Sequence, residues 1–319
     1  KDKSDPEYVA HEDAVYFPNS DNALVMFDRA TSWKRAYPQG TRHTTKVVEA
    51  FNDWAGPGDK METMYTDNAP ELLKACRLVG WRNPTSTPGV HETNGLIERV
   101  NRKVREGTKA AMDMAGFTPA WWVVSIQYYC NAWNTTFIDG TTPYFERFKN
   151  HFTGKHAPHG CLIDFLPTPT AEKTSNFASG NRVKPGLFLG WHFQPGGLWS
   201  GDYWVVELDS FKDSIDVTPG KARLHRIKEI YLPKDEKFTF PVAERRKEMG
   251  RKLEDYTADF KDDELFPHGE SDGEDDYATV GNEEPAREEE KPETAEQRAK
   301  AKRETLVERD PVIEPPKDL

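Results

Sequence analysis

All of the net charge of this chain lies in its last quarter, and that limits how much of it can fold. Residues 244–319 hold 25 acidic and 14 basic side chains, so they carry the whole formal charge of −11, while residues 1–243 balance at 29 acids and 29 bases. Runs such as 272–276 and 288–290, with few aromatics near them, bury too little apolar surface to offset chain entropy. Order is therefore expected to end near Ala243, with residues 243–319 forming a disordered acidic tail.

The longest apolar stretch, residues 120–133, is broken by Ser125 and Gln127 and is too short to cross a bilayer, so no membrane contact is expected. No signal peptide opens the chain, and a start at Lys1 followed by a polar run reads as a piece of a longer protein. Cys76, Cys130 and Cys161 are odd in number and widely spaced, which excludes a disulfide framework and a CxxC-type zinc site made by this chain alone. Reduced thiols and an intracellular protein follow as expectations.

Residues 23–27 and 33–37 are short β-prone runs joined by a polar turn at 28–32, which predicts an antiparallel hairpin. Thr44 or Thr45 can cap a helix in which Val47, Val48, Phe51 and Trp54 recur at helical spacing, with Gly56 and Gly58 at its end. Residues 61–66 form the next predicted strand. Asp67 and Asn68 stand at its end, before Pro70 opens a helix that stops at Gly80. After the loop 83–94, Gly95 leads into a long helix to about Ala115, and Thr118-Pro119 and Thr142-Pro143 signal two further helix starts. This order describes a mixed α/β domain over residues 1–166. Residues 167–181 read as a linker, 182–242 as a small β-barrel with strands near 186–193, 202–208 and 221–232.

The stretch 65–105 carries the candidate chemistry. Asp67 at a strand end and Glu98 one turn into a helix are 31 residues apart, and a loop folding back would bring two hard oxygen ligands to one pocket. Arg102, Arg105 and Lys109 follow Glu98 at offsets of 4, 7 and 11, on its face of the helix, while Ile97, Val100, Val104 and Ala111 form a separate apolar stripe. Taken singly, Asp67 is equally a cap and Glu98 equally a complement to the helix dipole. The Trp121-Trp122 and Tyr128-Tyr129 cluster reads as packing, and His151, His156 and His159 lack metal spacing. Arg182, Lys184, Lys221, Arg223 and Arg226 are scattered bases of the barrel.

TDNAPEL (66–72), STPGVHETNGLIERVNR (86–102) and VMFDRATSWKRAYP (25–38) resemble the integrase core of retroviruses and LTR retrotransposons, above all of copia-type elements. LFLGWHFQPGG and GDYWVVELDSF resemble the small β domain that follows that core, so the resemblance spans about residues 20–240. It implies a ribonuclease H-like core, an SH3-like barrel and a linker toward a reverse transcriptase within a polyprotein. It also implies Mg2+ or Mn2+ held by an Asp-Asp-Glu triad, with Asp67 and Glu98 as the second and third acids. The first acid is either Asp13, ahead of a run at 14–17, or a residue upstream of Lys1; Asp28 matches the hairpin and reads as a turn residue.

The sequence departs from the family at the Asp67–Glu98 spacing, at His91-Glu92, at Ala69 and in having no zinc-binding His/Cys set before residue 20. The implied activity is phosphoryl transfer: water cuts near the 3′ end of the element's DNA, and the new 3′ hydroxyl attacks target DNA. Arg102, Arg105 and Lys109 would steady the DNA, and Asn68 and Asn94 would support the site. A homo-oligomer, contacts with other parts of the polyprotein and a nuclear location complete what the resemblance implies. The alternative is a catalytically inactive nucleic-acid-binding or assembly module derived from such an element.

Overall fold

The computed structural model describes residues 20–57, 61–85, 95–138, 140–167, 183–235 and 237–259. Strands β1 (Asn22–Phe27) and β2 (Lys34–Gln39) pair antiparallel, as the sequence predicts. Asp28 closes their turn, its carboxylate accepting from the Ala30 N–H at 2.9 Å and from the Thr31 hydroxyl at 2.6 Å. Helix α1 (Thr44–Ala55) buries Val47, Phe51 and Trp54; its N-cap is His43, and no side chain caps it. Helix α2 (Pro70–Val79) ends on Gly80 in the left-handed conformation. Helices α3 (Gly95–Ala115), α4 (Trp122–Thr135) and α5 (Pro143–Phe148) follow, α4 preceded by a 3-10 turn at Pro119–Trp121. The Thr142 hydroxyl caps α5 by accepting from the Phe145 N–H.

Residues 61–66 do not form the full strand expected of them. They run parallel to residues 82–85 through isolated bridges at Thr63–Arg82 and Thr66–Thr85. Met64 N–H donates to Arg82 and Arg82 N–H to Glu62, but the partner of Thr66 N–H is the carbonyl of Pro84, which has no N–H to return. The proline cuts the ladder short.

The second sheet is antiparallel with five strands: β3 (Leu162–Phe165), β4 (Lys184–Phe193), β5 (Trp199–Glu207), β6 (Leu224–Ile227) and β7 (Ile230–Tyr231), in the order β6-β5-β4-β3-β7. Its edge strands β6 and β7 are joined by only Lys228 and Glu229, so the sheet must curl until its edges meet. Residues 167–181 divide composition but not packing, because β3, which precedes them, pairs with both β4 and β7.

The sheet is apolar on both faces. Leu187, Leu189, Trp204 and Val206 join a core with Val100, Val104, Trp122 and Ile126 of α3 and α4. Phe188, Trp191, Phe193, Tyr203 and Val205 join another with Met26, Trp33, Phe51 and Trp54. A register shift between Phe188 and Gly190 turns the alternation of β4 over, so that Trp191 and Phe193 share a face with Phe188. Asn134 of α4 clamps the hairpin edge, its amide donating to Lys34 O at 2.7 Å and its oxygen accepting from Lys34 N–H at 3.0 Å.

Order does not end near Ala243. Helix α6 (Pro241–Glu248) and a 3-10 segment at Leu253–Asp259 continue the fold, and Val242 and Leu253 enter the core shared by α3 and α4. Arg246 is 6% exposed, pairs with Asp113 and donates to the carbonyls of Asp113 and Phe117. Arg245 donates to the carbonyls of Phe211 and Lys212. These arginines, which look solvated in sequence, satisfy helix-end and turn carbonyls. Residues 260–319, the remainder of the expected tail, lie outside the described residues.

Candidate nucleic-acid and metal site

Asp67 is exposed where residues 61–66 end and the chain turns into α2. It is not the cap of that helix. The N-cap is Ala69, and Asp67 Oδ1 accepts from the Ala69 N–H at 3.1 Å, which tightens the turn and leaves Oδ2 with no hydrogen-bond partner among the described residues. Beneath it, Asn83 donates to Met64 O at 2.8 Å and to Thr66 Oγ1 at 2.9 Å, and the Thr66 hydroxyl donates to Asp67 O at 2.8 Å. Asn83 thus fixes the position of Asp67. Sequence reading placed it only at the start of a loop, and nothing in its neighbours signals more.

Glu98 is exposed in the first turn of α3. The helix buries Val100, Val104, Thr108, Ala111, Met112 and Ala115, so the apolar stripe lies where the spacing puts it. At Gly107 a Cβ would lie 1.9 Å from the Tyr129 ring, so this glycine lets α4 approach closely. The side of α3 that carries Glu98 bears basic residues, with Arg102 exposed and Arg105 and Lys109 half-buried beside the apolar stripe. Asn68 is exposed beside Asp67. Asn94 and Asp13 lie outside the described residues. Among the described residues no group of three or more His, Cys, Asp and Glu side chains is arranged to hold a metal ion.

The bases of the curled sheet are mostly committed elsewhere. Glu207 is buried among Lys184 at 3.0 Å, Arg223 at 3.3 Å and His225 at 3.1 Å, and Arg226 pairs with Asp202. Burial works against the Glu207 carboxylate, yet hydrogen bonds from His225 and Lys184 outweigh it and hold its pKa down to about 2. Arg182 lies outside the described residues, and Lys221 is exposed.

His159 is taken up in packing. His159 is fully buried, its ring stacked on Tyr128 and edge-on to Phe117. Leu189 O, 3.2 Å from Nδ1, can only accept, so Nδ1 carries the proton and Nε2 accepts the Ser125 hydroxyl at 2.9 Å. The three cysteines are buried free thiols. Among the described residues no helix is long and apolar enough to cross a membrane.

If α3 is the nucleic-acid face, replacing Arg102, Arg105 and Lys109 together by Ala should weaken binding to many DNA sequences alike. The slope of log affinity against log salt should fall by about 1 for each phosphate that is no longer neutralised. Thermal stability should stay nearly unchanged, since the apolar stripe is intact. Anisotropy titrations of the full chain at several salt concentrations measure this, and an unchanged slope would place the DNA-binding surface elsewhere.

No family model matches the chain, and no curated protein matches it. Among solved structures, the catalytic core domain of BIV integrase aligns at 16% identity over 39% of this chain and 89% of its own, with a TM-score of 0.29. The simian T-cell lymphotropic virus intasome in complex with PP2A regulatory subunit B56 gamma aligns at 12% identity over 67% of this chain and 78% of its own, with a TM-score of 0.33. At those scores neither likeness carries an argument about fold or activity, which rest on the residues themselves.

Proposed function

We propose that this chain is the integrase part of a copia-type retrotransposon polyprotein, catalysing metal-dependent phosphoryl transfer on DNA. Two observations support the reading: Asp67 is exposed and held by Asn83 and the Ala69 N–H at the end of the parallel segment, and Glu98 is exposed in the first turn of a helix that also carries Arg102, Arg105 and Lys109. The order hairpin, helix, parallel segment, helix, long helix is that of the ribonuclease H-like core in the resembled family. The curled five-stranded sheet, most of which follows these helices in the chain, would serve as the SH3-like domain of that family.

Asp67 and Glu98 are hard oxygen donors and suit Mg2+ or Mn2+; the family's third donor would be Asp13 or a residue upstream. When bound, such ions lower the pKa of the attacking water and stabilise the leaving oxygen. Arg102, Arg105 and Lys109 would hold the DNA backbone beside the carboxylates, with Asn68 and Asn94 supporting the site. DNA ends and target DNA are then the substrates, a second copy of the chain its partner, and the nucleus its place of action.

An end-processing and strand-transfer assay on short duplexes with Mg2+ or Mn2+ tests this. Asp67→Asn and Glu98→Gln should each lower turnover on the order of a hundredfold or more while DNA affinity is kept. Turnover unaffected by either change would refute the assignment. The second reading, a non-catalytic nucleic-acid-binding module, predicts DNA binding with no turnover at all.

A further inference from the structure

The whole net charge of the chain, −11, lies in residues 261–290, which hold 13 acidic and 2 basic side chains. On either side the charge balances, with five acids and five bases in 244–259 and seven of each in 291–319. The structure fixes where this acidic stretch begins. Helix α6 and the 3-10 segment at Leu253–Asp259 lead up to it, and Arg246 of α6 pairs with Asp113 near the C-terminal end of α3. Val242 and Leu253 enter the same core as Val104 and Met112 of α3. The stretch is thereby tethered beside one particular helix.

The N-terminal part of that helix is the complementary surface. Residues 95–109 carry five bases against two acids. Arg99, Arg102 and Lys103 are exposed and pair with no carboxylate among the described residues, whereas Lys184, Arg223 and Arg226 of the curled sheet are engaged by Glu207 and Asp202. At 1.5 Å per residue, Lys103 lies about 15 Å from Asp113 along the helix and Arg99 about 21 Å. A coil of 30 residues spans about 30 Å, so the stretch reaches these bases. Single exposed ion pairs are weak, but such a tether holds the acids at a local concentration on the order of 1 mM and lets many pairs act together. We propose that residues 261–290 dock in cis on the exposed bases of α3 and compete with DNA for them. Only the competition rests on the nucleic-acid role proposed for α3; the docking follows from charge and tether alone.

Carbodiimide cross-linking of the full chain at low salt, read by peptide mass spectrometry, tests the docking. Links from acids of 261–290 to Lys103 or Lys109 are expected, formed within one copy when isotopically labelled and unlabelled protein are mixed, and lost at about 0.5 M salt. Links spread evenly over the lysines of the fold, or formed only between copies, would overturn the docking. The competition is read separately, by anisotropy with a DNA duplex. Neutralising the acids of 272–276 and 288–290 in the full chain (Asp272→Asn, Glu274→Gln, Asp275→Asn, Asp276→Asn, Glu288→Gln, Glu289→Gln and Glu290→Gln) should raise affinity about tenfold at about 50 mM salt, and the gain should shrink as salt rises. Adding Arg99→Ala, Arg102→Ala and Lys103→Ala should cut that gain to about twofold or less, because the docking surface is then gone. Simple repulsion between an acidic tail and DNA would leave the gain whole, and that result would overturn the competition. Should neither parent nor variants bind DNA, the nucleic-acid reading of α3 falls, while the cross-links still decide the docking.

Discussion

Acidification from about pH 6 to about pH 4 should cost the protein about 1.4 kcal/mol of stability per pH unit through His159 alone. Burial holds the His159 imidazole down to about 3 from an ordinary 6.5. The unfolded chain therefore takes up a proton that the folded chain refuses. Stability is complete above 6.5 and drains away as the pH falls toward 3. Burial lowers His156 and His192 in the same direction, so the parent slope exceeds that of one proton. Comparison with His159→Gln isolates the buried residue. The variant starts less stable at neutral pH, having lost the ring stacked on Tyr128, but its stability should decline more gently with acid. Glu207 adds to the slope below about pH 5, from the ordinary 4.5 toward about 2, but does so in parent and variant alike, so the comparison cancels it. Denaturant titrations at a series of pH values measure both curves, and parallel curves would show that His159 protonates without cost.

Replacing Gly116 by Val should release α6 and cost about 3 kcal/mol or more. Gly116 has φ of 78°, and a Cβ there would lie 2.2 Å from the backbone nitrogen of Ala243. Both the backbone strain and the clash fall on main-chain atoms that cannot turn aside. With α6 displaced, Val242 leaves the core and Arg246 loses Asp113. Trypsin should then cut at Arg245, Arg246 or Lys247 while the rest of the fold resists. A variant that keeps these bonds protected would mean that α6 contributes little.

Local signals carry their elements well. Pro70 and Gly80 bracket α2, Gly95 and Ala115 bound α3, and Thr142-Pro143 starts α5, because caps and glycine stops act within a turn of the residues that specify them. Asp28 is legible as a turn residue for the same reason. What escapes is long-range. The four residues of β3 give no hint that their partners lie beyond residue 183, and the apolar runs of β4 and β5 fit a barrel interior as well as a sheet buried on both faces. Helix α6 has the composition of a solvated segment, and only the shape left by Gly116 and the carbonyls near Asp113 give its arginines a place. At the candidate site, the residue types and the apolar stripe of α3 are legible. The support that Asn83 gives Asp67 is not, since it depends on a parallel pairing that Pro84 interrupts.

If Asp67 and Glu98 serve one metal site, Mn2+ affinity measured by electron paramagnetic resonance across a double-mutant cycle will reveal it. Asp67→Asn and Glu98→Gln should each weaken binding by about tenfold or more, and the double variant should lose little beyond either single one, a coupling of about 1 kcal/mol or more. Losses that simply multiply, or a Mn2+ affinity that neither substitution changes, would place the two carboxylates in separate surroundings and contradict the account.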